Sequence, residues 1–194
     1  MPDVREVILT PDKPNATYFA GTVFPISDSD PDYPALVIGN FVLGSSGLSS
    51  RLGDRVRQQE GLSYGVGSFL SAKELDKRTT FGMYAIANPE NMPKVEAAIS
   101  EELARLLKDG ITEEELAAAS QGYLEKQKVT RSEDSQLAAT LRSNLFVGRS
   151  MEYYADLENK INALTVEDVN TVLRKYIDPA HIALAVAGDF KDAE

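Results

Sequence analysis

Arg57 and Tyr64 are the residues of this chain whose types and spacing best suit chemistry on something outside it. They stand in the stretch RQQEGLSYGVGS, residues 57–68, with Gly61 between them. An arginine brings a permanent charge and a planar fork of N–H donors, and a tyrosine brings one hydroxyl that can donate to a developing oxyanion. If Gly61 ends a helix, Arg57 falls in its last turn and Tyr64 opens a strand, so the two side chains can converge across a tight corner. The plainer reading is structural: an arginine suits the dipole at a helix C-terminus, and a tyrosine suits a strand. On spacing alone the plainer reading has the advantage.

Other chemistries find less support. A catalytic zinc site usually needs histidine or cysteine ligands, and the chain has one histidine, His181, and no cysteine. The expectation is therefore no metal site and no cofactor within this chain. His181 follows Asp178 and Pro179, where a turn or strand-edge role fits. One histidine is enough for a serine-histidine-acid triad, yet no Gly-x-Ser-x-Gly elbow is present. The run LGSSGLSSRL, residues 43–52, lacks the Gly-Lys-Ser/Thr ending of a phosphate loop and reads as a helix–helix corner with serine N-caps. Glu113, Glu114 and Glu115 suit a first helical turn on dipole grounds and are assigned no chemistry.

These residues need elements to hold them. Residues 4–9 and 16–26 are rich in β-branched and aromatic residues, are separated by TPDKPN, and read as two strands. The apolar run over 33–43 predicts a largely buried helix, and Leu48, Leu52 and Val56, four apart, predict the stripe of a second. Gly61 is placed as its C′ residue, with Leu62 folding back over the last turn. Residues 64–71 and 78–87 read as paired strands joined by AKELDK. Val95, Ala98, Ile99, Leu103 and Leu106 mark a helix stopping at Gly110, and Thr112 with Glu115 forms a capping box. Helical patterns follow over 116–128, 135–147 and 151–164, Thr165 caps a last helix to about Tyr176, and residues 182–187 close as a strand. The order predicts one α+β domain over 1–194, with a mostly antiparallel sheet and helices packed on one face.

Composition narrows the partners. Thirty acidic against twenty basic residues among 194 give a formal charge of −10, which repels a phosphate backbone, so nucleic acid is excluded as a partner. The longest apolar runs, over 35–44 and 181–188, are too short to span a bilayer, and no membrane partner is expected. The opening MPDVREV lacks the regions of a signal peptide, and its Met-Pro-Asp reads as an excision boundary.

The block ALVIGNFVLGSSGLSSRLGDRVRQQEGLSYGVGS, residues 35–68, resembles the signature of the second, non-zinc half of the pitrilysin and insulinase type of metallopeptidases, which includes the mitochondrial processing peptidases. The match runs through Ser50, Arg51 and Leu52 and, without the usual spacer before the glycine, through Glu60, Gly61, Leu62 and Tyr64. It continues in KDGITEEEL, in DLENKINALTVEDVNTVLRKYI and in the closing ALAVAGDF, so that it spans nearly the whole chain.

The resemblance implies a processing-peptidase-like fold in which two homologous halves face each other around a closed chamber. One half holds zinc in an inverted His-x-x-Glu-His helix, and the other reaches across with an arginine and a tyrosine, matched here by Arg57 and Tyr64, to hold and polarise the carbonyls of a peptide substrate. This sequence has no such zinc helix. Zinc is thus expected in a partner, a homologous zinc-bearing half in the same chain or a separate subunit, with self-association as a partial substitute. The domain is then a piece of a longer peptidase, inactive alone, and exported bacterial relatives imply a periplasmic or envelope parent. Two alternatives stay open: a structural subunit of the same superfamily without a peptidase role, and a small-ligand binding domain with a deep apolar pocket.

Overall fold

The computed structural model describes residues 4–190. Five strands, β1 (Arg5–Leu9), β2 (Ala16–Phe24), β3 (Ser63–Ala72), β4 (Thr79–Ala87) and β5 (Ala183–Gly188), form one sheet in the order β1-β5-β2-β4-β3. All neighbours are antiparallel except β1 and β5. Six α-helices accompany them among the described residues: α1 (Tyr33–Asn40), α2 (Met92–Asp109), α3 (Glu113–Ser132), α4 (Asp134–Val147), α5 (Glu152–Asn162) and α6 (Val166–Tyr176). The α+β class, the antiparallel bias and the element order agree with the sequence reading.

Alternation decides which face of the sheet is covered. In β2, Ala16, Tyr18, Ala20 and Phe24 point inward, and in β4 Thr79, Phe81, Met83, Ala85 and Ala87 do so. They share one core with Val95, Ala98, Ile99, Leu103 and Leu106 of α2, the stripe legible in the sequence. The opposite face is bare: Phe19, Val23, Tyr84 and Ile86 are exposed, and Phe19 lies against Phe69 with ring centroids 5.6 Å apart.

One arrangement goes beyond the sequence reading, and one expectation is corrected. β1 and β2 are not neighbours, because the last strand, β5, lies between them and hydrogen-bonds to both. The predicted second helix does not begin at Leu48, which is 49% exposed and sits in a short 3-10 turn, Gly47–Ser49. The reason is Ser50, whose backbone is extended and whose hydroxyl donates to the Gly47 carbonyl (2.5 Å) and accepts from Gly53 N–H (3.0 Å). That makes Ser50 the N-cap, so the stripe starts at Leu52 and Val56, both fully buried.

The helix after Ser50 widens into a π-helical segment, Gly53–Gln59, and α1 likewise runs into a π-helical stretch, Phe41–Ser45. At the second of these sites the chain comes very close to β3: a Cβ on Gly44 would collide with the Ser68 backbone, and the Ser68 hydroxyl donates to the Asn40 carbonyl at 3.2 Å. Wide turns of this kind are uncommon and concentrate at functional positions. Among the described residues no helix is long and apolar enough to cross a membrane.

Candidate functional site

Arg57 lies in the last turn of the Gly53–Gln59 segment and is exposed. The segment closes as the sequence predicts. Gly61 has φ +63°, the left-handed conformation that costs other residues strain, and Leu62 N–H donates to the Val56 carbonyl at 2.9 Å while its side chain packs against the core. The chain then enters β3 through a bulge.

That bulge positions Tyr64. Ser63 pairs with Ala87 and Gly65 with the adjacent Ile86, so Tyr64 is the extra residue, left out of the ladder and 65% exposed. Bulges re-aim side chains in this way. Ser63 occupies the gap: its buried hydroxyl accepts from Gly65 N–H at 3.1 Å and lies 2.8 Å from the Ile86 carbonyl and 2.6 Å from that of Gly65, to one of which it donates. Arg57 and Tyr64 thus stand exposed on the two sides of one glycine-closed corner.

The other arginines of the helix that follows Ser50 are tied inward. Arg51 makes two parallel hydrogen bonds of 2.7 Å to the Glu115 carboxylate and a third, 2.8 Å, to the Gly110 carbonyl. Arg55 donates to Glu60 at 3.1 Å and to Glu101. Both approach Glu102, a fully buried carboxylate of α2, at 3.9 and 3.8 Å, and Arg105 reaches it at 2.7 Å. Burial lowers the Arg51 pKa, but the bonds to Glu115 and the charges of Glu115, Glu102 and Asp109 outweigh it and raise the value. For Glu115, burial pushes upward and the bonds from Arg51 and Thr112 prevail, holding its carboxyl below the ordinary range. Against this background Arg57 and Tyr64 have no side-chain hydrogen bond or ion pair to another described residue.

The sequence reading treated Arg51 as a motif letter only and gave Glu115 a capping role without chemistry. The capping box with Thr112 is present, and the Arg51 pairing is added to it. Glu102 went unnoticed although its position carried the signal: it falls on the apolar stripe between Ile99 and Leu106, where a charge needs a reason.

A zinc site does not fit the described residues of this chain. His181 stands exposed in the 3-10 turn Pro179–His181, with Nδ1 2.6 Å from Asp178 Oδ2, and Asp178 also accepts from Ala180 N–H at 3.0 Å. Among the described residues no group of three or more histidines and acids is placed to hold a metal.

Comparison with known proteins gives the family. Residues 3–123 match the peptidase M16 inactive domain. The chain is 30% identical over 141 residues to an uncharacterized zinc protease, YmxG, of Bacillus subtilis, covering 72% of this chain and 34% of that protein. It is 24% identical over 187 residues to a protein of Helicobacter pylori described as a non-peptidase homolog, covering 96% of this chain and 42% of the relative. The chain therefore spans well under half the length of either relative. The crystal structure of a peptidase M16 inactive domain from Pseudomonas fluorescens superposes with a TM-score of 0.82 at 24% identity, covering 96% of this chain and 43% of that one. With the family match extending over more than half of its length, this chain belongs to the inactive domains of the M16 peptidases.

Proposed function

We propose that this chain is the non-catalytic half of a zinc peptidase, completing a peptide-binding chamber whose metal belongs to a homologous half in the same polypeptide or a separate subunit. The observation that carries this is the pair of uncommitted donors, Arg57 and Tyr64, at a corner where Arg51, Arg55, Glu60 and Ser63 are all engaged. A metal held by that other half would supply an activated water and polarise the scissile carbonyl. The part of this chain is positional: the Arg57 fork holds a carbonyl of the extended peptide, and the Tyr64 hydroxyl donates to the oxygen on which charge develops. Self-association covers the same face when the homologous half is missing.

The test is Tyr64→Phe in the chain paired with its zinc-bearing half. Losing one oxyanion donor is expected to lower kcat by roughly 10²- to 10³-fold. Folding stability should move by no more than about 0.5 kcal/mol, because the hydroxyl has no internal partner to lose. The rival is a structural subunit without peptidase role, favoured by the Helicobacter pylori relative and its description as a non-peptidase homolog. It predicts unchanged assembly and no turnover that depends on Tyr64.

A further inference from the structure

Glu102 is the one acidic side chain of α2 that the structure buries completely, and one arginine bonds it while two more stand near. Arg105 donates to Oε1 at 2.7 and 3.2 Å, Arg51 stands 3.9 Å from Oε1, and Arg55 stands 3.8 Å from Oε2. Oε2 has no hydrogen-bond donor at all among the described residues. A carboxylate taken out of water carries a large desolvation cost, and with Arg105 bonded to Oε1 alone and Arg51 and Arg55 at 3.9 and 3.8 Å, Oε2 recovers little of it. Burying an apolar residue at the same stripe position is the cheaper solution, so stability alone does not account for Glu102.

What the carboxylate does control is the rotation of a neighbouring element. Arg51, at the start of the same helix, and Arg55, within the Gly53–Gln59 segment, are four residues apart and reach the first turn of α3 and α2, where Glu115 binds Arg51 and Glu101 binds Arg55. Arg57 is two residues further on, and residues so spaced on a helix do not share a face. Drawing Arg51 and Arg55 inward turns Arg57 outward. The segment's wide turns are rare and bond residues five apart, and its backbone is tied at the start through Asp54 to the Ser50 carbonyl and at the end through Glu60 and Leu62, so the rotation of the side chains between depends on what they bind.

We infer that Glu102 is a positioning residue, a buried anion that sets the rotation of the Gly53–Gln59 segment and so aims Arg57 at the peptide. The inference rests on the reading of Arg57 as a substrate-holding residue, and its test separates the two. In the complex with the zinc-bearing half, kcat and KM are measured for Glu102→Gln, Arg57→Ala and the double variant. Glu102→Gln preserves shape and removes the charge on which the three guanidinium groups converge.

The expected result is a roughly tenfold fall in kcat/KM for Glu102→Gln when Arg57 is present, with less than about a twofold further loss when Arg57 is already alanine. Equal losses in both backgrounds would show a general structural role and overturn the inference. So would full activity of Glu102→Gln alongside a damaged Arg57→Ala. An Arg57→Ala variant with normal turnover overturns the substrate-holding reading itself, which is a different outcome visible in a different protein. Should Glu102→Gln fail to fold, Arg55→Gln removes one inward tie without altering the buried carboxylate. Amide exchange across residues 53–59 should then rise about tenfold in the complex while that of α2 stays unchanged, and unchanged exchange over 53–59 overturns the inference.

Discussion

The Arg51 guanidinium and the Glu115 carboxylate meet fork to fork, with two hydrogen bonds of 2.7 Å joining the start of the Arg57-bearing helix to the first turn of α3. Planar pairing of this kind fixes direction as well as distance. Arg51 also binds the Gly110 carbonyl, so one side chain ties together three parts of the chain.

Arg51→Lys keeps the charge and loses the fork. Because this side chain is 13% exposed, the substitution is expected to destabilise the fold by about 1–3 kcal/mol, read from urea unfolding. The pairing also sets a pH dependence. Glu115 has its folded pKa below its ordinary value of 4.5, so its contribution is fully present above that pH and is lost as pH falls through the lower, folded value. Unfolding curves between about pH 7 and about pH 3 should show a shallower acid limb for Glu115→Gln than for the unaltered chain.

Gly61→Ala tests the corner. No atom lies within 4 Å of the place where the new Cβ would sit, so there is no clash, and the cost is the strain of φ +63° for a residue with a side chain. That amounts to about 1–2 kcal/mol, and Gly61→Asn should recover part of it. A loss near zero in chemical denaturation would mean that the corner has relaxed to another conformation, with Arg57 and Tyr64 displaced.

Metal analysis checks the division between halves. After dialysis the purified chain is expected to hold no stoichiometric zinc, since it has one histidine and no cysteine, and among the described residues no group of three or more histidines and acids is placed to hold a metal. Stoichiometric zinc together with chelator-sensitive peptide cleavage by this chain alone would overturn the proposed function.

Much of the architecture could be read from periodicity. The α2 stripe, the Thr112 capping box, the Thr165 cap and the Gly61 stop are local signals, decided within a few residues, and each stands in the structure where the sequence put it. What was hidden depended on distant partners. The place of β5 between β1 and β2 is set by pairing across almost the whole chain, which no local pattern encodes. Leu48 misled because an apolar residue four before Leu52 extends a helical stripe on paper, whereas the Ser50 hydroxyl starts the helix after it. Within the site, Arg57 and Tyr64 were legible as types and Gly61 as the turn between them. The bulge that turns Tyr64 outward was not, because Ser63 closes it through the Ile86 carbonyl on another strand.

The insertion of β5 governs the order in which the molecule can form. Arg5 pairs with Leu184 and Thr17 with Ala187, so neither of the first two strands reaches its final neighbour until the last one has been synthesised. A nascent chain can assemble β2, β4 and β3 with α2 behind them, but the edge of β2 stays open, and β1 has no place to dock. Contacts this far apart in sequence are slow to close, and an unfilled strand edge is a template for pairing with another chain. The final strand is therefore both the keystone of the sheet and the end of its most aggregation-prone interval during biosynthesis.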